Sequence, residues 1–142
     1  MGIARRLRTV PFGLPGPDRF LVARRDVAAP PEVVWDLLVD TEAWPLWGPT
    51  VAAVDCPDRR IHAGSRGRVR PPVGPWVSFE VTSFVPGESW AWRVAGVPAT
   101  AHHVRARPGG SEVALEVPWW APAYVSVCAL AARRIARLAE AR

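Results

Sequence analysis

Few side chains in this sequence could do acid–base chemistry in an apolar setting: three histidines, His62, His102 and His103, and two cysteines, Cys56 and Cys128. The adjacent pair is the informative one, because neighbours on a strand point to opposite faces. Arg105 and Arg107 share a face with His103, whereas Val104 and Ala106 share one with His102. The charged face belongs in solvent, so His102 points inward. An inward imidazole can serve as a general base or as a hydrogen-bond donor to a ligand carbonyl, tuned by burial. It can equally be a core histidine bonded to a neighbouring strand. Glu80 is the carboxylate that could pair with it, or with Arg68. Val77, Phe79 and Val81 make the better inward set, however, which leaves Glu80 outside and His102 without an acid–base partner.

Other chemistries find less support. The histidines have no cysteine or acid at ligand spacing, so no metal is expected. Gly64-Ser65-Arg66-Gly67 lacks the following helix and the lysine of a phosphate loop. No serine or cysteine sits in a strand–turn–helix elbow. The two cysteines are too few for a disulfide scaffold and read as buried free thiols. Arg59, Arg60, Arg66, Arg68 and Arg70 concentrate in one hairpin followed by Trp76, a pattern that could touch nucleic acid or acidic headgroups. Alternation puts Arg66, Arg68 and Arg70 on one strand face, most simply a solvated sheet exterior. The chain has 18 basic residues, all arginine, and a net charge of +5. With its abundant Ala, Val, Pro and Gly, this looks like the imprint of a GC-rich genome, and nucleic acid is not an expected partner.

Eight tryptophans beside a single tyrosine are harder to dismiss. Trp35 and Trp44 belong to helical segments and read as core. Trp90 and Trp92 alternate with Ala91 and Arg93, so both rings go to one face, which Val94 marks as inward. Trp119, Trp120 and Tyr124 fall at a strand-to-helix turn, where rings could stack on a planar ligand or plug the space.

The elements that must position these residues follow from punctuation and period. A chain of 142 residues is one domain and long enough to bury a core without staples. Its 49% hydrophobic and 22% charged content argues against disorder. The longest apolar run, Trp119 to Ala132, falls short of the roughly 20 residues of a membrane span. Residues 1–17 form a basic, Pro-rich arm, unlike the apolar region of a signal peptide, and a cytoplasmic location is expected. Residues 18–142 form the domain. Phe20 to Ala28 alternate as a strand. Ala29-Pro30-Pro31-Glu32 opens a helix, and Asp40 or Thr41 caps a second from Glu42 to about Trp47. From Val51 to Val117, turn signals at short intervals separate about six alternating segments, a meander of antiparallel hairpins. Pro122 then starts a helix whose Tyr124, Val127, Cys128, Ala131, Ile135 and Leu138 share a stripe opposite Arg133, Arg137 and Glu140. The predicted class is α+β: a curved antiparallel sheet of about seven strands, two short helices and a long C-terminal helix.

This order resembles the polyketide cyclase/dehydrase and lipid-transfer superfamily, the START-related helix-grip proteins with birch-pollen-allergen-like folds. The residues that carry the resemblance are Ala29-Pro30-Pro31-Glu32-Val33-Val34-Trp35-Asp36-Leu37-Leu38 and Trp44-Pro45-Leu46-Trp47. Gly64, Phe79 to Gly87, Trp90-Ala91-Trp92, His102 and Gly109-Gly110-Ser111-Glu112-Val113 complete it, over residues 19–141. It implies a hydrophobic cavity between sheet and terminal helix, with no obligatory cofactor, and His102 matches a position where such proteins often carry a histidine. The expected lining is Trp47, Phe79, Val81, Trp90, Trp92, His102, Trp119, Trp120, Tyr124 and Cys128. Two functions are then in view. One is binding or carriage of a small hydrophobic molecule, lipid-, sterol- or polyketide-like. The alternative is a polyketide cyclase or dehydratase with His102 as general base. A homodimer is left open.

Overall fold

A computed structural model describes residues 21–142; the expected arm at 1–17 lies outside them. The chain runs β1 (Leu21–Val27), α1 (Pro31–Val39), α2 (Trp44–Trp47), β2 (Ala53–Asp55) and β3 (Arg66–Arg70). It continues through β4 (Val77–Val85), β5 (Ser89–Val94), β6 (Val97–Arg107) and β7 (Gly110–Val117) to a short 3₁₀ turn at Pro122–Tyr124 and α3 (Val125–Glu140). The seven strands form one antiparallel sheet in the order β1-β7-β6-β5-β4-β3-β2. This is the curved α+β sheet with two short helices and a long terminal helix that the alternation and turn signals predict.

Local chemistry explains the boundaries. Pro31 starts α1, where its missing N–H is no loss. The C-terminal carbonyls of α1 would be orphans, but each finds a donor. Asp36 O accepts from Asp40 N and Val39 O from Ile61 N. Leu37 O and Leu38 O accept the indole N–H groups of Trp47 and Trp44, at 2.8 and 2.9 Å. Two tryptophans of the next element therefore close the end of the first helix. The second helix is shorter than expected. Thr41–Ala43 forms a turn in which Asp40 Oδ1 accepts the Glu42 N–H, and only Trp44–Trp47 is helical.

The β5–β6 connection places Ala95 and Gly96 at φ 55° and 77°, the paired left-handed conformation of a tight hairpin turn. Gly110 is required sterically, since a Cβ there would run into Val27 O. The terminal helix packs on β1, β7 and α1. Its buried stripe is Cys128, Ala131, Ala132, Ile135, Ala136 and Ala139. Tyr124, Val127 and Leu138, expected on that stripe, flank it half-buried instead.

The outer face carries the charge. Glu112 accepts Arg105 at 2.9 Å and Arg107 at 3.2 Å, and lies 3.5 Å from Arg24. Arg66 pairs with Glu80 and Arg68 with Asp55, while Arg68 and Arg70 lie over the Trp76 ring. Arg59 pairs with Asp40 and Glu42, and Arg60 with Asp36. The basic hairpin thus has acidic and aromatic partners within its own domain. Both cysteines are free; Cys128 is buried as expected, but Cys56 is only half-buried, its S–H directed at Arg66 O. Among the described residues no helix is long and apolar enough to cross a membrane.

Candidate functional site

The centre of the molecule is an aromatic cluster gathered from three elements. α2 supplies Trp44 and Trp47, β5 supplies Trp90 and Trp92, and β6 supplies His102. Trp90 and His102 are direct cross-strand partners, which stacks their rings with centroids 3.9 Å apart. Trp44 lies nearly parallel to Trp90 at 5.3 Å, and Trp92 meets both Trp44 and Trp90 edge-on. A bulge between Ala91 and Arg93 shifts the register at Trp92, and its indole N–H reaches Thr100 Oγ1 at 3.0 Å.

The polar atoms in this apolar setting fix one another. His102 Nδ1 faces the Trp90 carbonyl at 3.3 Å, and a carbonyl only accepts, so Nδ1 carries the proton. Nε2 is then the acceptor for the Thr100 hydroxyl, also at 3.3 Å. The chain of donors runs from Trp92 through Thr100 to His102. Burial lowers the His102 pKa to about 3, offset only partly by the Trp90 carbonyl, so the ring is neutral at physiological pH. Trp90 Nε1 is the exception: it is buried and has no hydrogen-bond partner. A buried donor in that state costs about 1–3 kcal/mol.

Two adjoining hollows remain around the cluster. A deep chamber of about 40 Å³ is lined by Trp44, Trp47, Trp90, His102, Leu115 and Cys128 among others. That is room for about two or three waters. An apolar groove of about 340 Å³ adjoins it, lined by Val69, Pro71, Val77, Val94, Pro118, Trp120 and Ala121 among others. Thr50, Val51, Trp92, Thr100 and Tyr124 line both. The Thr50 hydroxyl and Tyr124 OH lie 2.7 Å apart across this shared wall. Burial raises the Tyr124 pKa, and raises that of Cys128 to about 12, so both stay protonated.

Of the residues expected to line a cavity, Trp47, Trp90, His102 and Cys128 meet in the chamber, Trp120 lines the groove, and Trp92 and Tyr124 touch both. Phe79 and Val81 are inward but sealed in the core, Phe79 edge-on against Trp44. Trp119 points away, 57% exposed, and lines neither hollow. Glu80 is on the outer face with Arg66, as alternation predicts. Sequence reasoning missed Thr100, the Thr50–Val51 loop and Trp44 as lining. Thr100 was detectable, two residues before His102 on the same strand face; the loop carries no periodic signal. Among the described residues no group of three or more His, Cys, Asp or Glu could hold a metal ion.

Solved structures share this fold. Protein CV1439 of Chromobacterium violaceum is 21% identical with a TM-score of 0.61, covering 85% of this chain and 96% of that one. Protein MLL2253 of Mesorhizobium loti is 15% identical with a TM-score of 0.69, covering 84% and 96%. DynU16, from the dynemicin biosynthetic locus, is 20% identical at TM-score 0.61; 85% of this chain aligns, over 47% of that longer one. Among curated protein sequences none matches. Residues 21–140, nearly all of the domain that carries the aromatic cluster and both hollows, match the family described as polyketide cyclase / dehydrase and lipid transport, and the protein belongs to that family.

Proposed function

We propose that this protein binds a small, largely apolar molecule whose body lies in the groove and whose narrow end enters the chamber. The observation that supports this reading is an apolar groove of about 340 Å³ adjoining a small chamber, with five residues lining both. The groove is at the lower end of small-molecule sites, roughly 300–1,000 Å³. Removal of apolar ligand surface from water supplies about 25 cal/mol per Å², and a few hydrogen bonds orient the guest. Quenching of tryptophan emission by a panel of sterols, acyl chains and aromatic polyketides tests it, with native mass spectrometry to count bound molecules. Saturable quenching at one molecule per chain is expected. No saturable quenching and no bound mass with any class would overturn the reading.

The second reading, a polyketide cyclase or dehydratase with His102 as general base, draws support from the place of that imidazole in the chamber wall. Against it stand a pKa near 3 and an Nε2 lone pair already accepting from Thr100. A base that weak has little driving force to take a proton near neutral pH. Turnover of a polyketide-like substrate that His102→Ala abolishes while the fold survives would favour this reading over simple binding. A homodimer and a cytoplasmic setting remain compatible with both.

A further inference from the structure

We infer that the surface around the groove docks on an acidic lipid bilayer, with its exposed tryptophans seated among the headgroups. Of the eight large hydrophobic side chains exposed among the described residues, five lie on three segments: Leu46, Val73, Trp76, Trp119 and Trp120. The segments are 43–54, 71–79 and 117–132, and none of them contains a charged residue. Each also lines the apolar groove, through Thr50, Pro71 and Trp120 respectively, so the fold gathers all three around one hollow. Exposed apolar residues scattered singly are ordinary, but a concentration of them around a groove marks an interaction surface.

The chemistry of these five side chains selects the partner. Three are tryptophans, whose amphipathic rings favour the headgroup level of a bilayer. The other two, Leu46 and Val73, are aliphatic and suit the acyl boundary just beneath it. The charge held against Trp76 is positive: Arg68 and Arg70 lie over its ring at 5.0 and 5.5 Å. Arg68 is shared with Asp55, whereas Arg70 has no carboxylate partner among the described residues. The chain as a whole carries a net charge of +5, which draws it towards an anionic leaflet. This inference goes beyond the binding reading and does not rest on it. Where both hold, the bilayer is the source or the destination of the apolar guest.

Cosedimentation of the full chain with large unilamellar vesicles, without added ligand, tests the inference. Partitioning onto phosphatidylcholine vesicles that contain phosphatidylserine should exceed that onto phosphatidylcholine alone. Val73→Asp and Trp119→Ser change exposed positions that line neither hollow, and each should weaken partitioning on the order of tenfold with thermal melts unchanged. Arg70→Gln should lower the preference for phosphatidylserine several-fold. No partitioning onto either vesicle, or partitioning that survives both substitutions, would overturn the inference and leave ligand binding untouched. A dimer in analytical ultracentrifugation that Val73→Asp dissolves, with no vesicle binding, would assign the surface to a second copy of the chain and overturn it equally. Vesicle binding as described, with no apolar ligand bound, would support docking and overturn the binding reading alone.

Discussion

His102 shows how much a single buried ring can settle. Its stacked contact with Trp90 and its place at 3% exposure leave the imidazolium no water, so the folded protein holds it neutral down to about pH 3. The unfolded chain takes up that proton near the ordinary value of 6.5. Acid therefore favours the unfolded state across the window between these values, and the contribution of this site to stability is complete only above pH 6.5. Urea unfolding at pH 7 and pH 4.5 should show a loss for the wild type that exceeds the loss for His102→Gln. The difference should be on the order of 2–3 kcal/mol. Equal losses would mean that His102 is hydrated in the folded state. The inward direction of this residue was legible because Arg105 and Arg107 label the opposite face. Its neutrality was not, because that follows from burial under rings of other elements, Trp90 stacked on it and Trp47 edge-on.

Among the elements, α1 and α2 act as one unit, since the indoles of α2 take the last carbonyls of α1. Trp47→Phe preserves a large ring but strands the Leu37 carbonyl. It should lower stability by about 1–3 kcal/mol in denaturant unfolding, with the native helix content unchanged. A shift under ~0.5 kcal/mol would show that water replaces the indole. The terminal helix approaches the sheet through Ala131, Ala132, Ala136 and Ala139, all nearly inaccessible. Small residues set that spacing, so Ala132→Leu should cost about 1–3 kcal/mol by overpacking, and a neutral result would reveal unfilled space there. Helix and strand identities were legible from period and turn residues alone. The lining was less so. Alternation correctly turned Phe79, Val81, Trp90 and Trp92 inward, but it cannot tell core from cavity, which is decided by where α2 lands on the sheet. Trp92 owes its contact with Thr100 to a bulge that no local pattern announces. Tyr124 and Val127 sit beside the buried helical stripe, not on it, and both line the chamber.

For the molecule as a whole, the volumes decide what kind of guest fits. The space between sheet and helix is largely filled by Trp44, Trp47, Trp90 and Trp92, leaving about 40 Å³ at depth and about 340 Å³ in the groove. A guest enclosed like a core side chain has no room; the groove is the hollow with the volume for one. Fold alone does not choose the activity, since one architecture hosts binders and catalysts alike. The arrangement of apolar wall and neutral hydrogen-bonding groups is what points to binding. The most direct measurement is intermolecular NOE spectroscopy between a saturating polycyclic ligand and methyl-labelled protein. NOEs to the methyls of Val51, Val69, Val77 and Val94 are predicted, and none to Val73, which is 89% exposed and outside the groove. Saturable binding with NOEs confined to methyls outside both hollows would contradict the account.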